Sequence, residues 1–350
     1  MKESFSFQPI SHSWVAVHPN PKGIVQFIGG AFFGSLPTVF YRYFLKTVFD
    51  EGYTLIALPF RFSFRHWPIA ISLLQEQQIL RQEITKIAKN LGYDSKIYQD
   101  KSSYFWVGHS LGCKYITLLE FLSGENWEEI VEECVGGSEY QYRQIEDSLK
   151  TTGLERPSIK GQPSLLIAPD ISDTESAIPK PIAFVARFLD RLGLGVLPTK
   201  KQTKCFIEGS NLFNLTALIS FEKDTIAGNK INKNLDVFWF IEQLKRRKLP
   251  VLDKEIPGKH LEPIGIKIGN YIVDLNPLDK FIELIAERRI ECSVIQFLEQ
   301  LKQRAEQEDN VSEIDKGVMN VQHSAPENRA EATKEPVLSP SLLPCNLNAE

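Results

Sequence analysis

Gly108-His109-Ser110-Leu111-Gly112 reads G-x-S-x-G and stands between an apolar run, Ser103 to Val107, and a helical pattern, Cys113 to Leu122. That context constrains the fold more than the five residues do. A buried strand that enters a helix through one tight turn is the repeating unit of an α/β sheet. A serine at the apex of such a turn is pushed out of the backbone with its Oγ exposed. The flanking glycines let helix and strand approach without Cβ contact, and the helix N-terminus presents free N–H groups beside the hydroxyl. The same residues would serve equally as a serine N-cap in a tight βα turn. What else the chain can bring to Ser110 therefore decides between chemistry and capping.

A nucleophilic serine needs a base, and the base needs an orienting acid. Among the six histidines, His109 is inside the turn with its side chain expected to point away from Ser110, and His323 is in a polar tail. His260 follows a strand-like run, Leu249 to Ile256, and sits in Pro257-Gly258-Lys259-His260-Leu261-Glu262-Pro263, which reads as a loop at a strand end. The order nucleophile, acid, histidine along the chain is that of one hydrolase class. An acid between them is expected at Asp224, just past the apolar run Leu215 to Phe221, because open α/β sheets gather functional groups beyond the carboxyl ends of their strands. Glu222 lies nearer the strand, Asp170 after Ser164 to Ala168 is the rival, and an Asx-turn is the plainer use of Asp224. Val25 to Gly34 is a strand that breaks into Gly29-Gly30. Backbone N–H groups of Ala31 or Phe32, with that of Leu111, are candidates to hold an oxyanion. The G-G-x-x-x-G spacing does not match the dinucleotide pattern.

Ile28-Gly29-Gly30-Ala31-Phe32, Leu58-Pro59, Gly108-His109-Ser110-Leu111-Gly112, Asp224 and Gly258-Lys259-His260 resemble the α/β-hydrolase superfamily. More closely, Gly29 to Gly34 and Ser172 to Pro179 are similar to a functionally undescribed α/β-hydrolase-like family of cyanobacteria and chloroplasts, over roughly residues 10 to 300. The resemblance implies a nucleophile at Ser110, an acid at Asp224 and a histidine at His260, and names no substrate. Lipases and esterases often carry a histidine before the oxyanion glycines, where this chain has Ile28.

The 350 residues are 43% hydrophobic and 24% charged with a net charge of −4. That is enough chain for one large α/β domain, and it gives no electrostatic reason to expect nucleic acid as a partner. No apolar stretch is long enough to span a membrane, and the first residues lack a signal peptide's apolar core. Five scattered cysteines without a C-x-x-C pair point to free thiols in a reducing compartment, hence the cytoplasm, and to no zinc site. No cofactor or metal is expected.

Apolar strands at Gly23 to Ile28, Tyr53 to Leu58, Ser103 to Val107, Ser164 to Ala168, Leu215 to Phe221 and Leu249 to Ile256 alternate with helices at Thr38 to Asp50, Pro68 to Leu91 and Cys113 to Leu122. This pattern predicts a mostly parallel central sheet flanked by helices, the α/β-hydrolase fold with lid-like insertions. The domain is expected over 10–305, with insertions at about 124–161 and 170–208. Ile264 to Val273 reads as a hairpin, Leu284 to Gln307 as a final helix, and 306–350 as a disordered tail.

Within the second insertion, Pro181 to Leu194 is amphipathic and fits either a lid or an ordinary packing helix. Phe33, Phe62 and Phe188 are candidates to line an apolar substrate pocket, although aromatics in Phe60-Arg61-Phe62-Ser63-Phe64 more often pack beneath a following helix. The expected function is a serine hydrolase of esters or thioesters acting on a small, apolar acyl or isoprenoid substrate. The alternatives are a non-catalytic binding or scaffold protein on the same fold, and an acyltransferase using the same serine. Nothing in the chain names a protein partner.

Overall fold

The computed structural model describes residues 5–136, 139–155, 158–171, 195–274 and 282–321. Eight strands form one sheet: β1 Gln8–Ile10, β2 Ser13–Ala16, β3 Gly23–Ile28, β4 Tyr53–Ala57, β5 Tyr104–His109, β6 Ser164–Ile167, β7 Thr216–Phe221 and β8 Leu252–Ile256. Their spatial order is β1-β2-β4-β3-β5-β6-β7-β8. From β4 to β8 every neighbouring pair is parallel. Strands β3 to β7 are buried along their whole length, as their near-continuous apolar sequences require for a sheet covered on both faces. The half-exposed strand β8 carries Asp253, Lys254 and Glu255 at the sheet's edge, where charge discourages further strand pairing.

The other end of the sheet was not expected from the sequence. β1 and β2 form a hairpin, and β2 pairs antiparallel with β4. Its turn is held by buried Glu76 of the long helix His66–Asn90, which accepts from Ser11 Oγ, Ser13 Oγ and the His12 N–H, each at 2.9 Å.

The expected helix at Thr38 to Asp50 is two pieces, Pro37–Phe40 and Arg42–Asp50, parted at Tyr41. The first insertion forms helices Trp127–Val135 and Glu139–Thr152. The second of these lies against helix His66–Asn90, with Trp67 Nε1 donating to Gln141 and Gln75 to the Thr152 carbonyl. β9 Ile266–Ile268 and β10 Tyr271–Val273 make the hairpin expected around Gly269-Asn270, and β11 Ile282–Leu284 adds a third strand. The final helix accordingly starts at Ile290, since Leu284 and Ile285 belong to that strand and to a short 3-10 turn. It continues to Val321, past the boundary expected at 306. Residues 305 to 321 contain no proline and several good helix formers, so nothing local stops it. Residues 322–350 of the tail, and Pro181 to Leu194 with Phe188, lie outside the described residues.

The expectation of free thiols is corrected. Cys134 and Cys205 form a disulfide, with their Cα atoms 5.7 Å apart, joining helix Trp127–Val135 to helix Lys200–Gly209. Cys292 is disulfide-bonded as well. Among the described residues only Cys113 is a free thiol, and it is buried. Linear spacing cannot reveal a pairing between residues 71 positions apart, and the argument for a reducing compartment goes with it.

Helix Leu111–Leu122 is buried on all sides, including Lys114 and Glu120. Glu120 accepts from the Phe213 N–H at 2.9 Å, and burial raises its pKa to about 7. The folded state thus holds this proton in a pH range where the unfolded chain has released it. Stability falls as pH rises from about 4.5 to about 7, and the full cost, about 3 kcal/mol, applies above that range. Glu120→Gln keeps the acceptor and cannot ionise. Its melting temperature should exceed the parent's by several degrees at about pH 8 and converge with it in acid. Equal differences at both pH values in thermal melts would refute this.

Candidate active site

The site assembles where β5, β7 and β8 end. Ser110 caps helix Leu111–Leu122 with φ 54° and ψ −121°, a conformation that costs a non-glycine residue about 1–3 kcal/mol and persists only when its surroundings enforce it. Two contacts do so here: the Ser110 N–H donates to the Ile167 carbonyl of β6, and its own carbonyl accepts from the Cys113 N–H, both at 3.0 Å.

The β7–β8 pairing brings the acid and histidine loops together. Phe221 is in register with Ile256, and the Lys223 N–H donates to the Gly258 carbonyl at 3.0 Å. Asp224 and His260 follow within a few residues on adjacent loops. Asp224 Oδ2 accepts from His260 Nδ1 at 2.8 Å, and His260 Nε2 lies 2.8 Å from Ser110 Oγ. A carboxylate only accepts, so Nδ1 carries the hydrogen. In the neutral ring Nε2 is then bare and faces the serine hydroxyl as an acceptor. All three side chains are buried or nearly so.

The Asx-turn weighed for Asp224 is also present: Oδ1 accepts from the N–H groups of Ile226 at 2.7 Å and Ala227 at 3.0 Å. One oxygen anchors the carboxylate, and the other holds the histidine. Glu222 is exposed. The Asp170 N–H reaches the Ser110 carbonyl at 3.4 Å, whereas the carboxylate on His260 Nδ1 is that of Asp224.

The loop after β3 packs directly on the serine. A Cβ on Gly30 would stand 3.1 Å from Ser110 Cβ, and one on Gly112 would stand 2.2 Å from the Ile28 carbonyl oxygen. The Gly30 N–H donates to Tyr41 Oη at 2.8 Å. Phe32 has φ 57° and ψ −54°, and the Phe33 N–H reaches back to the Ala31 carbonyl at 2.6 Å, a γ-turn of the strained positive-φ kind. Among the described residues neither the Ala31 nor the Phe32 N–H has an acceptor. Leu111 opens its helix, where N–H groups lack intrahelical partners.

The aromatic stretches divide. Phe60 is buried edge-on against Tyr115, and Phe33 packs on Phe40. Phe32 is 56% exposed and stacks on Phe62, itself 37% exposed, with ring centroids 4.8 Å apart. Leu197 pairs with the end of the aromatic stretch, its N–H donating to the Phe64 carbonyl at 2.7 Å and its carbonyl accepting from the His66 N–H at 2.8 Å.

His109 is the residue that sequence reasoning discounted. Its ring is fully buried beside His260, with centroids 5.2 Å apart. Nδ1 lies 2.8 Å from Tyr41 Oη and Nε2 2.8 Å from the His260 carbonyl oxygen. No sequence signal marks a contact with a residue 151 positions away.

A family model described as a protein of unknown function (DUF1350) matches residues 6–130, a stretch that contains the Gly29-Gly30 loop and Ser110 but neither Asp224 nor His260. No curated protein matches the chain. Among solved structures, esterase B from Lactobacillus rhamnosis is 14% identical over 89% of this chain and 88% of its own, with a TM-score of 0.50. A putative carboxylesterase from Lactobacillus plantarum is 12% identical over 74% of this chain and 88% of its own, with a TM-score of 0.42. Thermogutta terrifontis esterase 2 is 11% identical over 75% and 88%, also at 0.42. At such identities a likeness speaks for fold alone, and the match at 0.50 carries it. A mostly parallel eight-stranded sheet with flanking helices, joined through a strand–serine–helix turn, is the α/β-hydrolase fold.

Proposed function

We propose that this α/β-hydrolase-fold chain is a serine hydrolase of carboxylic esters or thioesters. The observation that carries the proposal is the continuous line from Ser110 Oγ through His260 to Asp224, with both contacts at 2.8 Å. In the reaction, Ser110 Oγ attacks the acyl carbonyl while His260 Nε2 takes its proton. Asp224 keeps the imidazole in the required tautomer and stabilises the imidazolium. The N–H groups of Leu111 and of Ala31 or Phe32 receive the oxyanion, and each donor removed from such a hole costs about 3–4 kcal/mol of barrier. His260 returns the proton to the departing alcohol or thiol. Water, deprotonated by the same ring, then releases the acid and restores the serine.

The test is labelling by a fluorophosphonate probe, which reads nucleophile competence without the natural substrate. The wild type should label stoichiometrically and Ser110→Ala not at all. Equal labelling of both, or none of the wild type, would end the proposal.

The exposed stack of Phe32 on Phe62 beside the Gly30 loop favours an apolar acyl chain over a polar one. Apolar contact with one aromatic face is worth about 1–2 kcal/mol. Phe62→Ala should therefore lower kcat/KM for an octanoyl ester about tenfold while changing that for an acetyl ester less than about twofold. Equal losses on both esters would show that Phe62 does not meet the acyl chain.

A further inference from the structure

Tyr41, His109 and the His260 carbonyl form a second hydrogen-bonded line beside Ser110, and the catalytic proposal makes no use of it. Its polarity can be read from one end. The His260 carbonyl only accepts, so His109 Nε2 must carry the hydrogen and donate across 2.8 Å. Burial, with a smaller contribution from neighbouring His260, lowers the His109 pKa to about 3, so the ring is neutral and Nδ1 is bare. The Tyr41 hydroxyl therefore donates to Nδ1, and its oxygen accepts from the Gly30 N–H. Burial also raises the Tyr41 pKa far above its ordinary value, so the hydroxyl keeps its proton. Only one arrangement of hydrogens satisfies all four groups.

This line ties together the three segments whose relative placement the reaction needs. Gly30 belongs to the loop carrying the Ala31 and Phe32 N–H groups, His109 immediately precedes Ser110, and the carbonyl belongs to His260. We infer that Tyr41 and His109 are positioning residues for acyl transfer: their hydrogen-bonded chain clamps the His260 main chain and the Gly30 loop to the serine turn. The break in the helix at Tyr41 fits this use, since Tyr41 has non-helical φ −107° and ψ 21° and is fully buried.

The inference rests on the hydrolase reading, so its test carries a readout that does not require turnover. Gln places an amide N–H near the position of His Nε2, and Asn places a carbonyl oxygen near Nδ1. His109→Gln keeps the donor to the His260 carbonyl and loses the acceptor for Tyr41. His109→Asn does the reverse. Fluorophosphonate labelling rates and p-nitrophenyl acetate turnover should fall about 100-fold in His109→Asn, the scale of a displaced catalytic group. They should fall only about tenfold in His109→Gln, the loss also expected of Tyr41→Phe, because the tie to the Gly30 loop is cut while the clamp on His260 survives. Tyr41→Phe should slow acylation about tenfold with KM unchanged, since it frees the Gly30 loop and leaves the substrate contacts alone.

In parallel, imidazole 15N signals of His260 should report the Nδ1–H tautomer in wild type and His109→Gln, and a mixture of tautomers in His109→Asn. If His109→Gln and His109→Asn lose equal rate and share one His260 tautomer, His109 only fills space and the inference fails while the hydrolase reading stands. If the wild type never labels, the hydrolase reading fails. The 15N comparison still decides the clamp: a tautomer change confined to His109→Asn supports it, and unchanged signals overturn it.

Discussion

Asp224→Asn should slow acylation of Ser110 about ten-thousand-fold, the loss expected when a triad carboxylate becomes an amide. The substitution is nearly isosteric. The asparagine oxygen can take over the Oδ1 role and accept from the Ile226 and Ala227 N–H groups, which turns its NH2 towards His260. A donor there forces His260 to present a bare Nδ1, so Nε2 carries the hydrogen and cannot take the serine proton. The loss is thus one of tautomer and charge, with the loop intact. The melting temperature should move little, whereas Asp224→Ala, which also removes the Asx-turn, should lower it as well. Fluorophosphonate labelling rates with matched thermal melts make the measurement. A loss below about tenfold in Asp224→Asn would mean that this carboxylate does not orient the base.

Gly112→Ala should produce the largest loss of stability from a single methyl group near the site. The added Cβ would lie 2.2 Å from the Ile28 carbonyl oxygen and 2.7 Å from that of Gly29. Both obstacles are backbone, and Ile28 is locked into the sheet through its pairing with Gly108. No side chain can rotate away, so the helix must lift off the sheet or the end of β3 must shift. Overpacking of this kind costs about 3 kcal/mol, which should lower the melting temperature by about 4 °C for a chain of this size. The displacement also separates the Leu111 N–H from those of Ala31 and Phe32. Acylation should slow even at temperatures where the variant is fully folded. A Gly112→Ala protein with wild-type melting and labelling would show that the close approach of helix and strand at this turn is not what holds the proposed oxyanion donors together.

Much of the site was legible because its signals are local. Ser110 stands out since a strand, a turn and a helix leave their marks within a few residues on either side. Asp224 and His260 follow because apolar runs end just before them, and a parallel sheet places its strand ends side by side. The sequence favoured Asp224 over Asp170 but could not exclude the rival. Both follow buried strands, and only the β7–β8 pairing puts one of them against His260. The aromatic run was ambiguous for a similar reason: Phe60 and Phe62 have the same spacing and composition around them, yet one is buried on Tyr115 and the other faces solvent.

The sequence by itself determined the alternation of strands and helices and the residues at the strand ends, because period, apolarity and turn chemistry act over a few neighbouring residues. Tertiary structure alone decided the N-terminal hairpin, the Cys134–Cys205 disulfide, and the joining of Tyr41 and His109 to the His260 carbonyl. Each of these depends on which distant groups the packed core brings within hydrogen-bonding or bonding distance. A histidine reads the same in the chain whether its ring meets solvent or a carbonyl 151 residues away. What separates the two cases is the cost of burying an unpaired polar ring, and that cost arises only once the core has closed around it.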